Sequence, residues 1–403
     1  MINKSTLHKD LPDGWNIKAL PDCVEKASIS RDIKILQSEY LKNGKYPIID
    51  QGADFIAGFT DDDSKLYEGE LPVVVFGDHT RIFKYVNFPF SLGADGTKLL
   101  CPKKFLEPKY FYFYLLHLPL ESKGYNRHYK YLKEKDVIFP DKTEQQKIAH
   151  VLLQLQQAIA QQEKIIAKAK ELKRSMMHRL FTYGLRGEEL KETEIGLMPK
   201  SWVVKRIEDI VEKTSQKDMR KKPDVQFKYI DVSSISNDSF KITGSTTYKG
   251  SEAPSRARKI VRTNDILFAT VRPTLKRIAY VGNEFDGEVC STAFCVLRSV
   301  STLSSRYLYY CVQRDSFIES LGKLQRGASY PAVTDGNVKD QPIPFPTLDE
   351  QEEIANTLWD IDNKINHETA KKNMLKDLFK SMLQLLMTGQ VRVKDIDFGK
   401  EYE

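Results

Sequence analysis

The chain has 403 residues, 41% of them hydrophobic, which is enough for two or three domains with ordinary buried cores. Lys and Arg number 62 against 55 Asp and Glu, and the resulting net charge of +7 favours a polyanionic partner. Residues 1–5 contain no apolar stretch typical of a secretion signal, and the most apolar run, Tyr110–Leu116, is too short to span a bilayer. We therefore expect a cytoplasmic protein.

The first half of the chain, up to about residue 141, alternates short β-like runs with turns. Examples are Pro72–Phe76, which Gly77 follows, and Ile82–Val86, while a helical pattern covers Pro108–Leu118. These patterns predict an α+β domain with a strand-rich body. Its loops hold basic, aromatic and amide side chains, which suit contact with phosphates and base edges. The candidate DNA-contacting residues here are Lys45, Gln51, Asp78, His79, Thr80, Arg81, Lys98, Asn126, Arg127, His128, Tyr129 and Lys130.

Asp78 and His79 need separate consideration, because an Asp-His pair can bind a metal or act as a general base. No second cluster of His, Cys or carboxylate residues with ligand spacing accompanies them in the sequence. A turn whose polar side chains face a partner is favoured, and we predict no metal site. The five cysteines form no CxxC pair, which favours reduced structural thiols over zinc ligands.

A long helix is predicted to follow the first domain. Thr143 suits its N-terminal boundary, Gly184 suits its end, and neither Gly nor Pro interrupts Glu144–Leu180. Such a helix has roughly 37 residues and a length of about 55 Å. Its apolar positions are spaced by alternating fours and threes, as in a coiled coil. They include Ile148, Leu152, Leu155, Ile159, Ile166 and Met176.

The second half repeats this organisation with different loops. β-like runs at Asp265–Val271, Ile278–Val281 and Phe294–Leu297 and a helical pattern at Ser305–Leu324 predict another α+β domain. The candidate DNA-contacting residues of this half are Arg256, Arg258, Lys259, Arg272, Lys276, Arg277, Arg326, Ser329 and Tyr330. For any single residue a solvated basic face is an equal alternative. Nucleic-acid contact is favoured for the clusters, because they occupy matched positions in both halves.

A second long helix is predicted over Glu350–Met387, with Gly389 beyond its end. Its apolar positions match those of the first helix. They include Ile354, Leu358, Ile361, Ile365, Leu375 and Phe379. The two helices either pack separately on their own domains or pair with each other, antiparallel, about a pseudo-twofold axis.

Two pairs of motifs show that the chain is duplicated. Phe139–Ala149 returns as Phe345–Ala355, 206 residues later, and Pro12–Lys26 returns as Pro199–Lys213, 187 residues later. An internal duplication of this kind predicts one scaffold that presents two different surfaces. The predicted boundaries are residues 1–142 for the first domain, 143–184 for the first helix, 185–347 for the second domain, 348–390 for the second helix and 391–403 for a C-terminal tail.

The motifs of several catalytic classes are missing from the sequence. It contains no phosphate-binding GxxxxGK[ST], no GxGxxG after a strand, no HExxH and no nucleophile elbow. It also lacks the Asn-Pro-Pro-aromatic tetrapeptide that marks amino-methyltransferases. These absences and the charge pattern together favour a non-catalytic DNA reader that works for another subunit.

Short motifs at the domain starts and the helix starts carry a family resemblance. They are Leu11–Trp15, Leu197–Trp202, Glu144–Ala149 and Glu350–Ala355, followed in the second half by the strand-like run Ser291–Leu297. In this order, and twice over, they resemble the specificity subunit of Type I restriction-modification enzymes across essentially the whole chain.

That resemblance implies two target recognition domains, each reading one half of an asymmetric bipartite site on double-stranded DNA, with an antiparallel helix pair as the ruler. It also implies two DNA adenine methyltransferase subunits docked on the helices and two restriction or translocase subunits in the larger assembly. S-adenosylmethionine, ATP and Mg would be bound by those partners, and no cofactor is expected in this chain. The alternatives are a self-contained DNA-binding or scaffold protein and the reading subunit of a Type IIB-like enzyme; an independent enzyme is least favoured.

Overall fold

A computed structural model describes residues 11–25, 33–93, 96–122, 124, 126–327 and 331–398. The chain forms two compact units. Unit 1 consists of Met1–Gln162 and Lys371–Glu403, and unit 2 is Glu163–Ala370. Each unit therefore contains one segment of each long helix.

Unit 1 is a strand-rich domain followed by the start of a long helix. Its elements are β1 (Asn16–Ala19), α1 (Leu20–Cys23), β2 (Val24–Glu25), β3 (Lys34–Ile35), β4 (Tyr46–Ile49), β5 (Gly58–Thr60), β6 (Val73–Gly77), β7 (Phe83–Val86), β8 (Ser91–Gly93), β9 (Thr97–Pro102), α2 (Pro108–His117), α3 (Tyr129–Leu132), β10 (Asp136–Phe139) and α4 (Lys142–Tyr183), whose first part lies in this unit. The sheets have the strand orders β2-β9-β6-β7, β3-β8-β4-β5 and β1-β10.

Strand β6 lies at the centre of unit 1 and is buried along its whole length. Val74 and Phe76 belong to the apolar core that also contains the buried face of α2, whereas Val73 and Val75 belong to a second core with Phe90. Successive side chains of a strand point to opposite faces, so a continuous apolar run fits a strand that is covered on both sides.

Unit 2 repeats this plan with longer connections. Its elements are β11 (Leu190–Thr193), β12 (Gly196–Pro199), β13 (Val203–Arg206), β14 (Gln226–Ile230), β15 (Thr246–Lys249), β16 (Ala257–Ile260), β17 (Ile266–Ala269), β18 (Ile278–Tyr280), β19 (Val289–Ser291), β20 (Phe294–Leu297), α5 (Ser305–Cys311), α6 (Asp315–Leu324), α7 (Asp335–Lys339), β21 (Pro342–Phe345) and α8 (Leu348–Met387), whose first part lies in this unit. The sheets have the strand orders β15-β14-β19-β16, β18-β17-β20, β11-β12 and β13-β21.

The helical pattern predicted at Ser305–Leu324 forms two helices, α5 and α6. Helix α5 is buried from Tyr307 to Cys311, while α6 buries only the face formed by Phe317, Ile318 and Leu321. Arg314, between them, has extended backbone.

Each domain is closed by pairing of its first and last long-range strands. In unit 1, β1 pairs antiparallel with β10, with Asn16 opposite Phe139. In unit 2, β13 pairs antiparallel with β21, with Val203 opposite Phe345. The two repeated motifs thus meet in space, and the residues added between them in the second copy enlarge only the domain body.

The repeated glutamine at the start of each long helix docks the helix on its domain. Gln145 Nε2 donates to the carbonyls of Phe105 (3.1 Å) and Pro140 (2.9 Å). Gln351 accepts a hydrogen bond from the Ser304 amide (2.9 Å), and its Nε2 donates to a proline carbonyl in the same way. Both glutamine side chains are buried, so this repeat has a structural cause.

The repeated glutamate before it is also buried in both units, but with different partners. Glu144 accepts two hydrogen bonds from Arg392, which follows the end of α8, at 2.8 and 2.6 Å. Glu350 accepts from Trp202 Nε1 (3.1 Å) and from the Leu185 amide (3.2 Å). A buried carboxylate requires such partners, because desolvation without them is costly.

The long helices have 42 residues in α4 and 40 in α8. In unit 2 their segments run antiparallel. Lys173 Nζ lies 2.8 Å from Asp362, and the Leu185 amide, twelve positions further, contacts Glu350, twelve positions earlier. In unit 1 the beginning of α4 and the end of α8, including Leu386, share one buried cluster.

The twelve predicted seam residues are all buried or half-buried. The buried ones are Ile148, Leu152, Ile166, Ile354 and Leu358, and the half-buried ones are Leu155, Ile159, Met176, Ile361, Ile365, Leu375 and Phe379. The ends of each helix also enter domain cores, since Ile148 and Leu152 lie in the core of unit 1 and Ile354 and Leu358 in that of unit 2. The sequence left open whether each helix packs on its own domain or on the other helix. In the structure each helix does both.

All five cysteines are free thiols, and all but Cys101 are buried. Across the residues that the structure covers, no helix combines the length and the apolar character needed to cross a membrane.

Candidate nucleic-acid interface

In unit 1 the hairpin loop between β6 and β7, residues 78–82, contacts the segment that precedes α3. The carbonyl of Asp78 accepts hydrogen bonds from His128 N (2.9 Å) and Nδ1 (3.0 Å), and its carboxylate accepts from the Tyr129 amide (2.7 Å). Asp78 and His128 are 2% and 0% exposed. These two buried residues therefore connect the hairpin loop to the segment that precedes α3.

Gln51 ties a third loop to the same place. Its Oε1 accepts from the His79 amide (3.3 Å), and its backbone carbonyl accepts from Thr80 Oγ1 (2.6 Å). Lys98 lies over the ring of Tyr129, with Nζ 5.7 Å from the ring centroid. Seven sequence-predicted residues of this half are thus brought together: Gln51, Asp78, His79, Thr80, Lys98, His128 and Tyr129.

The exposed side chains on this face of unit 1 are polar or basic. Thr80, Asn126, Arg127 and Lys130 are exposed around the buried Asp78. A phosphate or base edge needs accessible cations and amides. Arg127 and Asn126 fit that requirement.

Two other predicted residues of this half have different surroundings. Arg81, in the left-handed region with φ +64°, donates from Nη1 to the Leu120 carbonyl (2.9 Å) and so holds the hairpin loop against the segment after α2. Lys45 forms an exposed ion pair with Asp63 (2.9 Å). Its contacts are with Asp61 and Asp63 and not with the cluster around Asp78, so Lys45 lies outside the proposed face.

In unit 2 the corresponding hairpin loop, residues 270–277 between β17 and β18, contacts the segment before α7. The Arg272 amide donates to the Pro331 carbonyl (2.7 Å), and the Val333 amide donates to the Thr270 carbonyl (2.9 Å). Arg326 is joined to the same segment through Ala332. The matched clusters of the sequence analysis therefore meet in each unit, and we call the hairpin loop with its pre-helix segment the recognition face of that unit.

The side chains of the unit 2 loop divide into exposed and internally bonded groups. Arg272 has φ +49° and is exposed, as are Arg256 and Arg326. Arg277 instead donates to the carbonyls of Val232 (3.1 Å) and Ile235 (2.6 Å), and Lys276 pairs with Asp315 at the start of α6.

Arg81 and Lys276 occupy equivalent places. Each is a basic residue with positive φ directly before the residue that closes its hairpin loop, and each is tied to the helix-end segment beside it. A non-glycine residue in this region is uncommon and needs support from its surroundings. We assign both a positioning role.

Two further basic residues predicted for unit 2 form internal contacts. Lys259 is 5% exposed, pairs with Asp335 and donates to the Phe294 carbonyl (2.6 Å). Arg258 is half-buried and lies 3.2 Å from Asp218. We leave both outside the recognition face, because their contacts lie within the domain body, where Arg258 shares the Asp218 carboxylate with Arg220. Ser329 and Tyr330 lie outside the described residues.

Sequence reasoning missed a second repeated surface on the long helices. Lys170-Glu171-Leu172 with Arg174-Ser175 in unit 2 matches Lys376-Asp377-Leu378 with Lys380-Ser381 in unit 1, at the same offset of 206 residues. Leu172 and Leu378 are 53% and 47% exposed. This repeat can be found in the sequence, but only when the polar faces of the two helices are compared as well as their apolar faces. We call these two segments the repeat surface.

The fold therefore defines a duplicated protein in which two similar units expose different loop side chains. A family model described as the Type I restriction modification DNA specificity domain matches residues 12–171 and 199–377. The chain belongs to this family of DNA specificity subunits, which recognise DNA and are not catalytic alone. The sequence-based resemblance and the tandem duplication are thereby confirmed.

Relatives and a solved structure extend along almost the whole chain. The Type I restriction enzyme MjaVIII specificity subunit of Methanocaldococcus jannaschii is 23% identical, with 96% of this chain and 95% of the relative covered. The putative MjaX specificity subunit of the same organism is 25% identical, with 97% of each chain covered. The S subunit of a Type I restriction-modification system from M. genitalium has a TM-score of 0.61 at 13% identity over 96% of this chain and 97% of that chain, which supports the fold alone.

Proposed function

We propose that this chain reads an asymmetric, two-part site on double-stranded DNA, one part with the recognition face of each unit. The observation that carries the proposal is the equivalent construction of the two faces, since in each the β-hairpin loop is hydrogen-bonded to the segment before the short helix. The scaffold is shared, but the exposed side chains differ. Unit 1 exposes Asn126 and Arg127 from the segment before α3, whereas unit 2 exposes Arg272 from its hairpin loop and Arg326 from the strand partner of Ala332, so different base sequences are expected for the two parts.

We further propose that the repeat surface binds two copies of one partner, a DNA adenine methyltransferase subunit. An exposed leucine with an acidic residue directly before it and a basic residue two positions after it recurs in both units, as Leu172 and as Leu378. Buried residues can recur in a duplicated chain because each core requires them, but an exposed Leu has no such requirement. A partner that binds both units in the same manner accounts for it.

S-adenosylmethionine would then be bound by the methyltransferase subunits, and ATP and Mg by restriction or translocase subunits in a larger assembly. The family membership supports this division of tasks.

The testing experiment is a methylation map of genomic DNA from a host that expresses this chain with its methyltransferase, compared with the methyltransferase alone. The expected result is a new motif in two separated parts, with methylated adenine in each, that appears only when this chain is present. If the two proteins associate but no new motif appears, the chain is a scaffold and the proposal fails.

A further inference from the structure

Unit 2 contains a cavity of about 370 Å³ to which the recognition face contributes nothing. It lies between the domain body and helix α8. Its walls come from the loop around Phe240, from the connection between β16 and β17, from the end of β18 with the connection after it, from Tyr309 of α5 and from one face of α8. Ligand pockets in proteins begin at about 300 Å³, so a group the size of a nucleoside is accommodated.

Aromatic rings form one wall of this cavity. Trp359 lies 5.4 Å from Tyr280 and 6.3 Å from Tyr309 between ring centroids, both in edge-to-face arrangements. Arg306 covers one face of the indole at 4.6 Å. The Tyr280 hydroxyl donates to Asn264 Oδ1 (2.9 Å). The wall is therefore an aromatic surface, with a guanidinium on one face of the indole, that is suited to contact with a planar ring.

Amide side chains form the rest of the lining. Asn363 and Asn366 are four and seven positions after Trp359 on α8 and thus share its helix face. Asn264 and Asn283 face them from the two connections of the domain body. Amides offer both donors and acceptors, and an Asn can bond two adjacent positions on a base edge.

The charges around the cavity are largely balanced. Asp362 is neutralised by Lys173 (2.8 Å) and accepts from the Tyr310 hydroxyl (2.8 Å). Lys241 and Glu284 carry opposite charges on the rim. A strongly charged ligand would gain little here, and a neutral planar ring with polar edges would gain most.

The internal repeat shows that the fold does not require this lining. The positions of α4 that correspond to Trp359, Asn363 and Asn366 are Leu153, Gln157 and Ala160. The stacking ring and one of the amides are thus features of the second unit only. Phe240, whose φ is +52°, and Asn264, whose φ is +71°, line the cavity from strained backbone positions.

We propose that this cavity is a nucleobase-binding pocket, in which a purine or pyrimidine ring lies against the Trp359 and Tyr280 wall and its polar edge bonds to Asn363 and Asn366. The base can come from a free nucleoside or nucleotide or from a nucleic acid strand. The proposal is independent of the two-part DNA site, because the pocket lies outside both recognition faces.

Tryptophan fluorescence of the full chain tests the proposal. Trp15 and Trp202 are buried, whereas Trp359 is only half-buried and lines the cavity. Adenosine, guanosine, cytidine and thymidine are titrated separately, and a stacked base should quench the emission in a saturable way. Trp359→Phe should remove the quenching while nucleoside binding, followed by calorimetry, persists.

The amides are tested with a matched control. Asn363→Ala combined with Asn366→Ala should weaken nucleoside binding by about tenfold or more, the effect of losing hydrogen bonds to a bound base. Gln157→Ala, at the position of α4 that corresponds to Asn363, should leave binding unchanged. Equal loss in both variants would overturn the assignment of the site.

A second titration separates the sources of the base. A single-stranded oligonucleotide that quenches Trp359 and competes with the nucleoside identifies a nucleic acid strand as a source; quenching by nucleosides alone identifies a free ligand. If neither nucleosides nor the oligonucleotide quench Trp359, the proposal is wrong. Methylation mapping of the Asn363→Ala, Asn366→Ala variant tests the DNA-reading function separately. Failure of the pocket proposal is thereby distinguished from failure of DNA reading.

Discussion

Glu144 and Arg392 are 248 positions apart in the sequence, and their side chains form a two-point ion pair at 2.8 and 2.6 Å. The carboxylate is 1% exposed and the guanidinium 26%. Arg392 also lies over the ring of Trp15. The last described part of the chain is therefore built into the domain formed by its first part.

Arg392→Ala should destabilise unit 1 by about 2 kcal/mol, below the value for a fully buried pair because the arginine keeps some contact with water. The loss arises because Glu144 is left buried without its cation. Urea denaturation followed by circular dichroism measures the change. Lys45→Ala, which breaks the exposed pair with Asp63, is the control and should change little; equal effects of both variants would contradict the prediction.

Gly389→Ala should be more costly than Gly187→Ala, although both glycines have positive φ, +69° and +63°. A Cβ at Gly187 would meet no neighbouring atom, so only the backbone cost of about 1–2 kcal/mol applies. At Gly389 the same atom would collide with the ring of Pro12. Unfolding free energies of the two variants should differ clearly, and similar values would mean that the Pro12 contact is easily relieved.

Arg127→Ala and Arg272→Ala should each weaken binding of the cognate DNA by about 1–3 kcal/mol if the side chain contacts bases. Discrimination should then relax in one part of the site only, and in different parts for the two variants. Binding to substituted duplexes at constant salt measures this. Arg206→Ala, at an exposed pair with Asp340, is the control; a uniform loss over all duplexes would instead indicate phosphate contact.

Leu172→Asp and Leu378→Asp should each remove one methyltransferase subunit from the complex, and the double variant should remove both. An aspartate introduces a charge that must be desolvated in the interface. Native mass spectrometry gives the subunit count directly. Leu197→Asp, at a leucine that is 48% exposed in β12, serves as the control. A full complement in the double variant would place the docking site elsewhere.

The free energy of unfolding should fall as the pH rises above about 9. Burial raises the pKa of the Cys311 thiol from 9.0 to about 12 and that of Cys295 also to about 12. The folded state therefore keeps a proton that the unfolded state releases above pH 9, so stability is full below that pH and declines up to about 12, by about 1.4 kcal/mol per pH unit for each thiol. Urea denaturation between pH 8 and 11 tests this, and Cys311→Ala should flatten the slope.

Sequence patterns were most informative where a local cause fixes the structure. The run Phe294–Leu297 is β20, because four successive apolar residues fit a strand covered on both faces. The long helices followed from uninterrupted heptad spacing. The helical pattern at Ser305–Leu324 was confirmed, but it did not indicate where α5 ends and α6 begins.

The roles of single basic residues could not be predicted in the same way. Lys259 and Arg272 stand in one charged stretch, yet the first is buried against Asp335 and the second is exposed. Whether such a residue is buried or exposed depends on partners that are distant in the sequence, as Asp335 is from Lys259. The aromatic and amide lining around Trp359 was missed for the same reason, because its walls come from five separate segments.

The membership of residues 371–403 in unit 1 has a consequence for synthesis on the ribosome. Unit 2 is a single continuous stretch, so its residues have all been synthesised by position 370, whereas unit 1 needs residues beyond that point although it begins the chain. Domains fold as units during synthesis. The unit that begins the chain is therefore the last to have all of its residues synthesised. A chain that ends after position 370 would contain the whole of unit 2 but would lack the C-terminal part of unit 1.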